Sequence, residues 1–203
     1  MAHLCYWYET QLPTDIVEII ERDLRQYDDA VQKSKIFSGE DKVIRNSTNA
    51  WIPTSSWIGG FIWHYVERAN RENFQYDLSC IDGENLQYTQ YRAGEFYNWH
   101  IDAGLQTCIK PNLIESSGEN IGNQFVGLQG ERIRKLSFAL QLSDYSEYTG
   151  GDVQFLDNGN TFFAPKSRGT LMVFDSRVPH RVRKVKSGLR KSLVGWVVGP
   201  RWK

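Results

Sequence analysis

Residues 134–142 read Arg134-Lys-Leu-Ser-Phe-Ala-Leu-Gln-Leu142, and the large apolar side chains alternate with small or polar ones. In an extended chain Leu136, Phe138, Leu140 and Leu142 share one face, while Ser137, Ala139 and Gln141 share the other. The large apolar face must pack on something. The opposite face borders a small polar space. Further short strands are expected at Phe74–Ser79, Leu86–Tyr91, Asp152–Phe155, Thr170–Phe174, His180–Lys184 and Lys191–Val198. The turn signals Asp82-Gly83, Gly150-Gly151, Asn158-Gly159 and Ser187-Gly188 separate them. This pattern predicts a mainly β, antiparallel double-sheet barrel with helices packed on one side.

The first third reads as helical. Thr14 can cap a helix with apolar positions Ile16, Ile19, Ile20 and Leu24. After Pro53, the stripe Trp57, Phe61, Tyr65 predicts a second helix ending near Asn73, weakened by Gly59-Gly60. A single domain is expected over 1–203, with helical support over about 1–73 and a β core over about 74–200. Residues 103–130 are rich in Gly, Asn, Gln and Ser and read as a long functional loop, naturally a lid.

Length and composition bound the rest. A chain of 203 residues with 40% apolar and 24% charged residues is that of a globular domain, neither disordered nor collagenous. Aromatic content of 13% suits a β-rich core or a pocket lined by rings. Basic and acidic residues balance at 24 each, but residues 166–203 carry eleven basic side chains against Asp175 alone. Such a tail fits an anionic ligand, an acidic partner or nucleic acid, or a set of solvated strand faces. Cys5, Cys80 and Cys108 are too few and too scattered for a disulfide framework or a zinc ribbon. No signal peptide or bilayer-spanning run is visible, so no membrane partner is expected and a reducing cytoplasm is the expected setting.

The chemistry rests on few residues. Of four histidines, His100 forms an H-x-D pair with Asp102, and on a strand i and i+2 converge on one side. Alone the pair is weak, because chance supplies about 0.24 of them in this composition. His180 follows a turn containing Pro179 and opens a strand. Two imidazoles and one carboxylate make a facial triad that holds one side of an octahedral metal and leaves three positions open. Residue types alone would also admit manganese, nickel or zinc. Arg190 lies ten residues on. A turn at Ser187-Gly188 would fold its strand beside that of His180 and set the guanidinium at the pocket floor, where it needs an anionic partner. Ser192, two residues further, would share its face.

Tyr91-Arg-Ala-Gly94-Glu-Phe-Tyr97-Asn-Trp-His100-Ile-Asp102 resembles the Y-x-x-G-x-x-Y-x-x-H-x-D segment of prolyl-hydroxylase-type iron(II)/2-oxoglutarate oxygenases. Leu136–Ser143 with Tyr148–Phe155 is similar to their L-S…L-S…Y-x-G-G-x-L-x-F stretch, and Gly169–Trp196 to their G-x-L-x-x-F-x-S…H-x-V…G-x-R…W block. Arg45-Asn-Ser47…Ala50-Trp51 is faintly similar to the family's N-terminal segment. The resemblance runs from about 86 to 200. It implies a distorted double-stranded β-helix, or jelly roll, with iron(II) on His100, Asp102 and His180. It implies that Arg190 takes the distal carboxylate of 2-oxoglutarate, that Tyr91 contacts the co-substrate and that Trp196 walls the pocket. Gln141 stands where some relatives have a tyrosine facing that carboxylate. Ascorbate is a further cofactor so implied.

The leading expectation is a dioxygenase that hydroxylates a substrate C–H bond with release of succinate and CO₂, acting on prolyl residues of a peptide or protein. The same chemistry on a free amino acid, another small molecule or a modified nucleobase is the alternative, and a non-catalytic binding module ranks below both. Tyr97 and Trp196 read equally as core, and His64 and His3 as residues without a chemical role.

Overall fold

The computed structural model describes residues 3–8, 12–34, 44–103 and 132–202. Among them run β1 (Cys5–Tyr8), α1 (Thr14–Leu24), β2 (Gln32–Lys33), β3 (Arg45–Asn46), β4 (Thr48–Pro53), α2 (Trp57–Ala69) and β5 (Cys80–Ile81). Then follow β6 (Asn85–Arg92), β7 (Phe96–His100), β8 (Arg132–Gln141), β9 (Tyr148–Gly150) and β10 (Val153–Asp157). The last strands are β11 (Asn160–Phe163), β12 (Leu171–Asp175), β13 (His180–Val182) and β14 (Val185–Pro200). The major sheet has the order β1-β12-β8-β14-β6-β4-β2, with β5 and β9 also paired to β14. The minor sheet has the order β11-β10-β13-β7-β3. Two antiparallel sheets with helices on one side are the expected jelly-roll architecture.

Residue parity sorts the major sheet into two jobs. Leu136, Phe138 and Leu140 of β8, Leu193 and Val197 of β14, and Leu86 and Tyr88 of β6 are buried in one cluster with Ile20 and Leu24 of α1 and Ile58, Ile62 and Val66 of α2. The intervening residues face the minor sheet, where Ala139, Met172 and Phe174 pack with Val153, Phe155 and Val178. The alternation along residues 134–142 therefore has its structural counterpart: one face of β8 holds the helices, and the other lines the space between sheets.

Gly195 sits on the helix side, paired directly to Phe138. A Cβ built there would lie 2.4 Å from the Phe138 ring, which is fully buried and cannot retreat. Gly195→Ala is therefore expected to lower stability by about 1–3 kcal/mol, as overpacking a filled core does. Equilibrium denaturation of the two proteins checks it.

The structure corrects several local expectations. Pro13, not Thr14, is the α1 N-cap; Thr14 lies inside the helix, and among the described residues no side chain caps it. The buried stripe of α2 is Ile58, Ile62, Val66 rather than Trp57, Phe61, Tyr65, and Trp57 is 45% exposed. Gly59 is there because a Cβ would strike the Thr54 carbonyl at 2.4 Å. Residues 75–79 form no strand, since the chain leaves α2 through a wide turn ending at Phe74. The first third also contributes β1 and β4 to the major sheet, where helix alone was expected. Ser187-Gly188 is no hairpin turn. It lies within β14, opposite Tyr148 and Thr149, and His180 belongs to the other sheet. The expected lid falls, from residue 104 on, outside the described residues, as does Cys108.

Candidate active site

His180 on β13 pairs directly with His100 at the end of β7, and their rings lie 4.1 Å apart. Asp102 follows the strand rather than continuing it. Its backbone N–H donates to the Ser176 carbonyl at 2.9 Å, which fixes the carboxylate beneath both imidazoles. His100 Nε2 stands 3.6 Å from Asp102 Oδ1, and His180 Nε2 stands 3.4 Å from Oδ2. The three donor atoms lie within 4.8 Å of one another. The register between β7 and β13 shifts, with His180 opposite His100 but Val182 opposite Tyr97. That irregularity turns Tyr97 inward, where its ring stacks on His100 at 3.5 Å and 12°.

Each imidazole is oriented from behind. His100 Nδ1–H donates to the Asn98 carbonyl at 2.7 Å, and His180 Nδ1–H to the Val178 carbonyl at 3.0 Å. Both Nε2 lone pairs are thereby presented to the centre, the tautomer a metal ligand needs. Burial, reinforced by neighbouring His180, lowers His100 to about 4, so the ring is neutral at ordinary pH. Burial would raise Asp102, but the two histidines and the Ser137 hydroxyl outweigh it and hold the carboxylate below its usual range. Two imidazoles and one carboxylate, with donors converging on one point, suit a divalent transition metal.

Sequence reasoning does not single out Ser137, yet its Oγ donates to Asp102 Oδ2 at 2.7 Å and contacts Ser176 Oγ at 2.9 Å. Its parity on β8 was the available signal. Ser137→Ala is expected to weaken metal binding about 10–100-fold while leaving the fold intact, the usual effect of removing a group that orients a ligand. Titration with Co(II) or Mn(II) measures it.

The triad opens into a cavity between the sheets, walled by Tyr91, Val153, Phe174, Val194 and Trp196 among others. Arg190 reaches it from β14, in the sheet opposite His180, and not from a neighbouring strand as the sequence suggested. The side chain is 1% exposed. Nη1 donates to Ser192 Oγ at 3.3 Å and Nη2 donates to Gln141 Oε1; among the described residues Nε has no partner. Gln141 Nε2 in turn donates to the Tyr148 hydroxyl at 3.2 Å. Burial, the first cause, pushes that phenol above its usual range, so it stays protonated. Tyr91 faces the guanidinium at 5.5 Å, and among the described residues the buried Trp196 Nε1 is a further donor without an acceptor. Among the described residues no carboxylate pairs with Arg190. A buried guanidinium held only by neutral groups, beside further donors without acceptors, fits an oxygen-rich anion.

All eight residues singled out in the sequence thus gather in one place. His100, Asp102, His180, Tyr91, Arg190, Ser192 and Trp196 line the cavity, and Gln141 stands behind Arg190. Gln87, Thr89 and Arg45 line it as well and were not foreseen there. Much of the basic tail is committed elsewhere. Arg177 pairs with Asp175 at 2.6 Å, Arg168 pairs with Glu21, and Arg181 donates to Gln154 at 2.8 Å.

Residues 86–198 match the model of the 2OG-Fe(II) oxygenase superfamily. A PKHD-type hydroxylase of Hyphomonas neptunium is 35% identical over 137 residues, covering 64% of this chain and 61% of that protein. A putative prolyl 4-hydroxylase of Acanthamoeba polyphaga mimivirus is 29% identical over 141 residues, covering 70% and 49%. The chain spans less than two thirds of the length of these relatives. In fold it is similar to a Pseudomonas putida prolyl-4-hydroxylase, with a TM-score of 0.69 at 20% identity over 98% of this chain and 94% of that one. It is equally similar to a Trichoplax adhaerens prolyl hydroxylase solved with a hypoxia inducible factor peptide fragment, with a TM-score of 0.69 at 15% identity over 96% and 83%.

Proposed function

This chain belongs to the 2OG-Fe(II) oxygenase superfamily, and from that premise we propose that it is a peptidyl-prolyl hydroxylase. His100, Asp102 and His180 would hold Fe(II), and Arg190 with Ser192 would hold the distal carboxylate of 2-oxoglutarate. Bound there, iron and co-substrate supply an O₂-dependent oxidative decarboxylation that delivers a hydroxyl group to a C–H bond and releases succinate and CO₂. The observation that carries the reading is Arg190: a fully buried cation, partnered by neutral groups, lining the same cavity as the triad.

The residues of the chain supply position and dryness. Asp102 is kept ionised and His100 neutral, so a metal binds without first displacing a proton from either. Phe174, whose ring lies 4.7 Å from that of His180, and Val153 put apolar surface beside the triad, and where water is excluded electrostatic contacts gain strength. Trp51, 52% exposed and tilted against Trp196 at 6.3 Å, offers a flat ring beside the pocket wall on which a proline ring can lie. The hydroxylases to which the chain is similar support a prolyl substrate. The proposal extends to ascorbate as an accessory reductant and to a reducing, cytoplasmic setting, supported by Cys5 and Cys80 both being free thiols.

The test is aerobic incubation with Fe(II), 2-oxoglutarate and proline-containing peptides. Succinate release with one oxygen atom gained by the peptide is expected, read by mass spectrometry. Succinate release with no peptide ever oxidised would remove the prolyl assignment and leave the oxygenase chemistry.

A further inference from the structure

The cavity contains another buried arginine besides Arg190. Arg45, on the short edge strand β3, is 8% exposed and lines the same space as the triad. Its Nε donates to Ser47 Oγ at 2.9 Å and its Nη2 to Gln87 Oε1 at 2.8 Å. Ser47 in turn donates to Ser34 Oγ at 2.8 Å, so the guanidinium is held in place by a chain of neutral groups. Among the described residues Nη1 donates to nothing, and no carboxylate pairs with the side chain.

Its place relative to the triad is defined by a stack. The guanidinium lies 4.8 Å over the Tyr97 ring, and Tyr97 in turn stacks on His100 at 3.5 Å. Arg45 is therefore one ring removed from a triad imidazole. Arg190 sits elsewhere, against Tyr91 and Gln141. A single dicarboxylate spanning from the triad to Arg190 leaves Arg45 uncompensated. Burying a charge without an opposite one is costly, and a cavity with two such cations, separately cradled, is built for two anionic groups.

We propose that Arg45 is the anchor for a carboxylate carried by the substrate itself, only a few bonds from the carbon that is hydroxylated. The inference rests on the oxygenase reading above and deepens it by naming a required substrate group. The short distance from Arg45 to the triad through Tyr97 sets the reach. An α-carboxylate of an amino acid and an acidic side chain beside the target residue both meet it.

The test compares carboxylates with their amides. The protein loaded with Mn(II) and 2-oxoglutarate is titrated with free L-amino acids, proline included, each against its amide. Capped proline peptides with a neighbouring Asp or Glu are titrated against the same peptides with Asn or Gln. At least one acid is expected to bind about 10–100-fold more tightly than its amide, as a charge-assisted bidentate contact provides. Arg45→Gln is expected to erase that difference and Arg45→Lys to restore part of it. Preference for a free amino acid identifies the α-carboxylate; preference for the acidic peptide identifies the side chain. Equal binding of every acid and amide would overturn the proposal, as would a preference that survives in Arg45→Gln. A protein that never releases succinate with Fe(II) and O₂ would refute the oxygenase reading instead, and the Mn(II) titrations would still decide the role of Arg45.

Discussion

Arg190→Met loses 2-oxoglutarate and yet the ligand-free protein holds or gains thermal stability. The two halves of this expected result have one cause. The guanidinium is 1% exposed and receives no negative charge from any described residue. In the ligand-free state it carries a desolvation cost that Ser192 and Gln141 offset only in part. An unbranched apolar side chain of similar length removes that cost, and replacements of this kind are often neutral or stabilising by about 1–4 kcal/mol. The Gln141 and Ser192 oxygens, left without the guanidinium donor, work against the gain, so a modest rise or no change is expected. Binding shows the opposite effect. Removing one partner of a buried, hydrogen-bonded charge pair costs about 2–5 kcal/mol, which is at least about 30-fold in affinity. Calorimetry with 2-oxoglutarate and a thermal melt of the same sample read both. A variant that melts lower and still binds 2-oxoglutarate normally would show that Arg190 is a structural residue.

His180→Ala and Asp102→Asn are expected to abolish turnover while the chain stays folded. Each removes one of three donors lying within 4.8 Å of each other. Loss of a ligand forfeits several kcal/mol of metal-derived stabilisation, which at about 1.36 kcal/mol per tenfold is a rate loss of about 1000-fold or more. The Asn variant is the more informative. It keeps the shape of Asp102 and its contact with Ser137, but it removes the one negative charge between two imidazoles. Its amide can point an N–H at an Nε2 lone pair and fill the place where a metal would sit. Co(II) absorption should vanish in both variants, and circular dichroism should not change. Full activity in Asp102→Asn would mean that the triad is not the metal centre.

Much of this was legible because the deciding features are periodic or chemical. The two-residue alternation of β8 announced a sheet with unlike faces, and the faces are as read. His100, Asp102, His180 and Arg190 are few, and their types leave little other chemistry. What escaped depends on geometry that no local pattern encodes. The register shift that brings Tyr97 under His100 is a pairing irregularity between distant strands. The sequence of α2 suggests a stripe one position out of phase because large rings outrank isoleucine by size, while the sheet accepts Ile58, Ile62 and Val66. β4 is hard to see because six residues with two buried positions make a faint signal beside an adjacent helix. Arg45 and Ser137 become visible only where β3 and β8 close on the same space.

The separation of duties by parity on β8 and β14 has a consequence for sequence change. Phe138, Leu140, Leu193 and Val197 govern how firmly the scaffold holds together, while Ser137, Gln141, Arg190, Ser192 and Trp196 face the reaction space. Adjacent codons thus answer to different pressures. Randomised libraries restricted to the inward-facing alternate positions can explore new specificities on a backbone whose robustness is set by the positions left alone.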